Sequence, residues 1–386
     1  MAAAASFLTR AELEKFRWAL LEWFAASQRD LPWRRNRDPY RVWISEIMLQ
    51  QTRVAAVIPY FEKFCERFPD VRALAESEEA EVLRLWSGLG YYSRARNLQA
   101  AARQIVGEHG GEFPRTLEGL RSLSGIGQYT SNAILSIAFG EPHAVLDGNV
   151  ARVLARLVAM HGDLRETANW TALQKTADAL LEREQPGAWN QAMMELGATI
   201  CTPRSPQCLL CPVNEFCAAR KRGLQDAIPE KRKKRATVGV LLASAVVVDL
   251  RGRCLLLAPP ESGKRERDSR RLMAEAADIP TLVSRMWHFP TIATGKSAEK
   301  ELHRYLAKYF GIDGRVRLEL LRKVRHAVTY RAITLVPFLI RLKKLPKIAG
   351  ARAVGLKDIS SLPVSNLTRK IAGVAIAASD RVVTEE

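Results

Sequence analysis

Apolar positions in the first two hundred residues recur at helical spacing. Leu13, Phe16, Trp18, Leu20, Leu21 and Phe24 form one stripe, which runs to a stop around Asp30 and Pro32. Further helical stretches are expected over 41–66, 78–87, 91–108, 116–123, 129–139, 148–160, 167–184 and 188–200, punctuated by glycine, proline, Asp or Asn. After residue 217 the texture changes. The run 218–236, AARKRGLQDAIPEKRKKRA, reads as a solvated basic linker whose end is suited to touching phosphate. Beyond it, VGVLLASAVVVDL, RCLLLA, VRLELLRKV and ITLVPFLIRL read as strands, with short helices near 297–310 and 366–377. The pattern predicts a helical domain over 1–217 and an α+β domain over 237–386, each long enough for its own core.

Charge sharpens this division. Residues 1–217 hold 24 Lys+Arg against 25 Asp+Glu, a net of −1, whereas 218–386 hold 35 against 16, a net of +19. Attraction to a polyanion is therefore expected mainly from the second half. No apolar run is long enough to span a bilayer, and MAAAASFLTR lacks the basic and apolar regions of a secretory signal. The expectation is a monomeric cytoplasmic protein with no membrane association.

Four of the six cysteines crowd into Cys201-x6-Cys208-x2-Cys211-x5-Cys217, while Cys65 and Cys254 stand alone in apolar surroundings as core thiols. Four thiols in one short loop, without a signal peptide, suggest a soft metal centre, and zinc suits the ligand set as well as iron. Leu123-Ser-Gly125-Ile-Gly127-Gln-Tyr129-Thr130 lies between two helical patterns. Its glycines permit a tight hairpin, and the next helix offers free amides to a phosphate; an ordinary helix–turn–helix corner reads the same way. Glu46 sits among apolar residues in WISEIMLQQT. Desolvation there would keep it protonated, as a general acid must be, although composition alone favours a surface or helix-face residue. Asp147, at a helix mouth in LDGNV, is expected to stay ionised and to oppose positive charge.

Leu31-Pro32-Trp33-Arg34, SEIMLQQT at 45–52, GLGYYSRARNL at 88–98, LDGNVARVL at 146–154 and ELGATICTPRSPQCLLCP at 195–212 together resemble the MutY family of adenine DNA glycosylases. That family lies within the endonuclease III superfamily, and the resemblance covers residues 9–220. It implies a mainly α helix–hairpin–helix glycosylase fold, with the hairpin near 117–139 and a [4Fe–4S] loop over 201–217. It also implies an α+β Nudix-like C-terminal domain that reads the lesion. The resemblance, carried by the spacing of Cys201, Cys208, Cys211 and Cys217, implies iron over zinc, in a structural role, with Arg204 as a phosphate contact.

By the same resemblance, Glu46 is the acid that protonates adenine, and Asp147 stabilises the oxocarbenium ion or a covalent sugar intermediate. Asn149 and Tyr129 help organise the reaction. Trp33 and Arg34 surround the extruded adenine, and Gly125 and Gly127 shape the phosphate-binding hairpin. Gln51, Leu89 and Tyr91 enter the duplex as the base flips out, with core packing the competing reading for Leu89 and Tyr91. Tyr129 stands where lyase-capable members carry lysine, which implies a monofunctional enzyme, although an aromatic there also suits plain packing.

In the second domain, Met286-Trp287-His288-Phe289-Pro290 and Leu362-Pro363 resemble family segments. SAEKELHRYLAKYFGI at 297–312 lacks the carboxylates a Nudix hydrolase needs. Many relatives carry Phe-Ser-His in a loop that contacts 8-oxoguanine, and Val324-Arg325-His326 occupies the matching stretch, with Arg325 also readable as an exposed strand residue. The expected partner is double-stranded DNA with adenine opposite 8-oxoguanine or guanine, in a nucleoid-associated bacterial protein. An endonuclease III-like or thymine-mismatch glycosylase is the competing enzyme, and a DNA-binding scaffold the competing non-enzyme.

Overall fold

The computed structural model describes residues 7–230, 236–258, 286–295, 297–328 and 330–383. The run KRKKR at 231–235 lies outside the described residues. Two compact units result, one of residues 1–77 and 96–233, the other of 78–95 and 234–386. The segment 78–95, read from sequence as part of the helical half, groups with the second unit.

The first unit is helical. Helix α1 (Arg10–Ser27) opens on a capping box between Thr9 and Glu12 and buries Phe16, Leu20 and Phe24. Trp18, expected in that stripe, is 66% exposed. Two residues advance a helix by about 200°, so Trp18 points away from the face that holds Phe16. A 3-10 turn (Pro32–Arg34) follows, and then α2 (Pro39–Leu49), which Asp38 caps. The single helix expected over 41–66 is broken: α2 ends at Leu49 and α3 (Val54–Arg67) begins after four intervening residues. Gln51, at φ 58°, occupies the left-handed region that a continuing helix cannot use.

Short α4 (Val71–Glu76) comes next, and α6 (Ser93–His109) leads to α7 (Leu117–Ser122), the hairpin and α8 (Gln128–Ile137). Helices α9 (Gly148–Leu157), α10 (Thr167–Leu180) and α11 (Pro186–Thr199) complete the core. Residues 218–230, expected to begin a solvated linker, fold back instead. Helix α12 (Ala218–Lys221) buries Ala219, Ile228 is buried, and the Arg156 guanidinium donates to the Ile228 carbonyl at 2.8 Å.

The second unit holds α5 (Glu79–Trp86) and a mixed sheet. Its strands are β1 (Val238–Asp249), β2 (Arg253–Leu257), β3 (Thr291–Ala293), β4 (Glu319–Leu320), β5 (Val324–Val328), β6 (Arg331–Leu342) and β7 (Ala351–Gly355). β1 and β6 pair in parallel over their full length, from Val238 opposite Arg331 to Asp249 opposite Leu342. Both faces of this central pair are covered, which explains the unbroken apolar run in β1. Leu242, Val246 and Val248 face the core shared with α14 (Asn366–Val383), while Ala243, Ala245 and Val247 face the core shared with α13 (Ala298–Phe310).

The α+β expectation holds, with one shift. Of the strand expected over 316–324, Glu319–Leu320 pairs with β6 as β4 and Val324 pairs with it as the start of β5, with 321–323 outside both strands. The main hairpin forms one step later, between β5 and the start of β6, where Val328 faces Arg331. The lesion-reading stretch expected in a loop therefore lies on a strand, with Val324 buried, Arg325 exposed and His326 half-buried.

Candidate active site

Three segments of the first unit converge on a cavity of about 460 Å3. The turn at 32–34 contributes Trp33 and Arg34, α2 contributes Ser45, Glu46 and Leu49, and the mouth of α9 contributes Asp147, Gly148 and Asn149. Gln51 and Tyr129 also line it. A concave site of this size suits a single base.

Glu46 is 6% exposed. The Tyr129 hydroxyl donates to its Oε2 at 2.6 Å and also lies 3.3 Å from the Met194 sulfur. Burial is the main reason that the Glu46 carboxyl is raised to about 7; the nearby Asp147 charge adds to the shift, while Tyr129 and Arg34 oppose it. A carboxyl so placed is substantially protonated at neutral pH. Asp147 is the N-cap of α9: Oδ1 accepts from the Asn149 amide at 2.9 Å and the Val150 amide at 2.7 Å. Asn149 Nδ2 donates to Oδ2 at 3.2 Å. Burial raises the Asp147 pKa, opposed by these hydrogen bonds and by Arg152. The helix mouth predicted from sequence is present, but desolvation outweighs its support.

Asn149 is held in turn, because Arg152 Nη2 donates to its Oδ1 at 3.0 Å and to the Gly197 carbonyl at 2.7 Å. Arg152 Nε reaches the Cys201 carbonyl at 2.8 Å. One helical turn on, Arg156 Nη1 donates to the Cys201 sulfur at 3.2 Å and to the Thr202 carbonyl at 2.8 Å. Helix α9 thus carries the carboxylate at its mouth and grips the cysteine loop along its side.

Sequence reasoning missed Glu195, which lines the cavity and is only 1% exposed. Burial alone would raise its carboxyl, but hydrogen bonds from Arg29 at 2.6 and 2.8 Å and from Arg34 at 2.8 Å hold it below the usual range. Arg34 also lies over the Phe24 ring at 5.3 Å. The available signal was an acid inside the apolar run AMMELGAT, the same kind of signal that marked Glu46.

The remaining candidates lie elsewhere. Gly125, at φ 76°, and Gly127, the N-cap of α8, are exposed, and no side chain caps that helix. Leu89 (buried), Tyr91 (46% exposed), Arg325 and His326 belong to the second unit. Arg204 is exposed in the cysteine loop.

Cys201, Cys208, Cys211 and Cys217 surround one cavity with Arg156 and Arg220. Among the described residues, no three His, Cys, Asp or Glu side chains converge closely enough for a single metal ion. Four thiols around one cavity supply the soft donors that a metal cluster takes. Burial pushes the Cys211 thiol up to about 12, and the charges of Cys201, Cys217 and Cys208 add to the shift. A cationic centre relieves that repulsion and holds the thiolates deprotonated, so the residues fit the group.

A helical unit with a glycine hairpin, a buried acid facing a helix-capping carboxylate, and a four-cysteine loop defines a base-excision DNA glycosylase. Residues 44–178 match the HhH-GPD superfamily of base excision DNA repair proteins, and 201–217 match the iron–sulfur binding domain of endonuclease III. Over 410 residues the chain is 36% identical to the adenine DNA glycosylase of Homo sapiens, covering 94% of this chain and 74% of that one. It is 32% identical to that of Schizosaccharomyces pombe over 355 residues, covering 80% and 77%. A thermostable thymine-DNA glycosylase has a similar structure, with TM-score 0.51, 29% identity, and coverage of 55% of this chain and 98% of that one. The chain belongs to the adenine DNA glycosylase family, and its cysteine loop is that of a [4Fe–4S] cluster. No helix among the described residues is long and apolar enough to cross a membrane.

Proposed function

We propose that Glu46, Asp147, Asn149 and Tyr129 remove adenine from duplexes in which it faces 8-oxoguanine or guanine. The observation that carries this reading is the cavity in which a raised, Tyr129-bound Glu46 faces the N-cap carboxylate Asp147. Breaking the N-glycosidic bond leaves the electron pair on adenine, and a proton from Glu46 neutralises it. The sugar becomes cationic at C1′. Asp147, aimed by two amides and Asn149, opposes that charge as an ion or a covalent partner. Water then adds at C1′, and its proton restores Glu46. Glu195, held by Arg29 and Arg34, offers carboxylate acceptors at the pocket wall that suit the exocyclic amine of adenine. No lysine is among the described residues lining the cavity, which supports hydrolysis without a Schiff-base step.

For the opposite base, the reading rests on His326 and Arg325 in β5, within a Nudix-like domain. Burial and the Lys370 charge lower the His326 pKa, keeping a neutral ring that can both donate and accept. The Arg325 fork suits guanine-type acceptors. Excision should be measured on duplexes carrying adenine or thymine opposite 8-oxoguanine or guanine, for wild type, His326→Ala and Arg325→Ala. Adenine loss opposite both purines is expected, with the preference for 8-oxoguanine reduced in the variants. Thymine release from guanine:thymine, or an unchanged preference in both variants, overturns the respective part.

A further inference from the structure

The two second-domain motifs singled out in the sequence, Met286–Pro290 and Leu362–Pro363, meet in the fold. The Trp287 amide donates to the Pro363 carbonyl at 3.1 Å, and Trp287 bridges in parallel to Val364. The segment they anchor touches the loop 87–91. Ser87, buried, donates through Oγ to the Val364 carbonyl at 2.8 Å, and Asn366 Nδ2 donates to the Gly88 carbonyl at 3.3 Å.

That loop is held carbonyl by carbonyl. Beyond Gly88, Arg94 Nη2 donates to the Leu89 and Gly90 carbonyls at 3.2 Å each, and the Trp86 indole donates to Gly90 at 3.2 Å. Gly88, Gly90 and Tyr91 take φ values of 122°, 72° and 48°. A non-glycine residue in the left-handed region persists only where its surroundings over-determine it.

Asn366 opens α14, and buried Ser365 caps it by accepting from the Thr368 amide at 3.1 Å. Lys370 follows Asn366 by four residues and so lies on the same face, one turn along. Its Nζ donates to the Arg325 carbonyl at 3.1 Å. A single rigid turn therefore grips the loop at Gly88 and β5 at Arg325.

The geometry points to the first turn of α14 as a bracket that joins the strand facing the opposite base to the loop that enters the duplex. Asn366 and Lys370 are positioning residues, and through them the identity of the opposite base biases extrusion of the adenine. This rests on the proposed role of β5 and on the entry of Leu89 and Tyr91 into the duplex that the family resemblance implies.

The test uses full-length protein carrying Glu46→Gln, so that the base is extruded without being cleaved. A 2-aminopurine stands in for adenine opposite 8-oxoguanine or guanine, and its fluorescence reports unstacking. Asn366→Ala and the isosteric Asn366→Asp, which lacks the donor, are expected to lower extrusion opposite 8-oxoguanine by about 3- to 10-fold, the worth of one neutral hydrogen bond. They should bring the two duplexes toward one value, with melting temperature and iron content unchanged. Lys370→Ala should do the same. Wild-type extrusion on both duplexes in the Asn366 variants overturns the bracket, whatever His326→Ala does. Loss of discrimination in the Asn366 variants, with none in His326→Ala, supports the bracket's hold on the loop and overturns β5 as the reader.

Discussion

Glu46 and Asp147 are both drawn upward by burial, yet their partners separate them. Glu46 has one hydroxyl donor, whereas Asp147 accepts from two backbone amides and one side-chain amide. On the proposed roles, excision needs Glu46 protonated and Asp147 ionised. Its rate should therefore fall as pH rises through about 7, the value of Glu46, and also fall toward acid pH at a point above the ordinary aspartate range. Glu46→Gln keeps the shape but carries no acid proton, so excision should collapse while mismatch binding persists. Single-turnover rates across pH, beside binding isotherms, check this, and near-wild-type excision by the variant would remove Glu46 from the mechanism. The same shift has a stability consequence. The folded state holds this proton more tightly than the unfolded chain, so stability falls as pH rises from about 4.5 through about 7 and the loss is complete above that. Glu46→Gln should accordingly melt a few degrees higher than wild type at pH 8, with little difference at pH 4.5.

At the scale of elements, α9 and α11 cross so closely that a glycine is required. A Cβ at Gly197 would stand 2.8 Å from Asn149 Cβ and 3.0 Å from the Asn149 carbonyl oxygen. Gly197→Ala should cost about 1–3 kcal/mol, the usual range for overpacking, and displace the residue that steadies Asp147. A lower melting temperature, with a larger loss in excision rate than in DNA affinity, is the expected outcome. The cysteine loop leans on the same helix through Arg156. Protein purified without oxygen should carry iron and sulfide, and Cys208→Ser or Cys211→Ser should lose both together with DNA affinity. Stoichiometric zinc without iron in metal analysis would contradict the cluster.

Across the whole molecule, the charge of +18 resides in the second half. A groove lined by exposed Arg322, Lys323, Arg325 and Lys370 runs beside α14, and its one acid, Glu319, is paired with Arg341. Phosphate contacts release counterions, so binding should weaken steeply with salt. Replacing Arg322 and Lys323 by alanine should make the log–log salt slope shallower by about one for each phosphate that is no longer neutralised, equally for 8-oxoguanine and guanine duplexes. Titrations at several salt concentrations measure it, and an unchanged slope would remove this groove from the DNA interface.

The sequence alone determined the helical and α+β halves, the four-cysteine loop, the hairpin glycines and the Glu46–Asp147 pair. Each depends on local periodicity, ligand spacing or a short motif. It left Glu195 unassigned: the apolar run AMMELGAT marks the acid as buried, but the arginines that hold it ionised stand 161 and 166 positions away in the chain. It ran α2 and α3 together, since the left-handed Gln51 has no compositional mark. Tertiary packing also decided that residues 78–95 group with the second unit, that 218–230 fold onto the first, and that desolvation raises Asp147 despite its helix mouth. Burial and long-range pairing belong to the assembled chain, and no window of residues contains them.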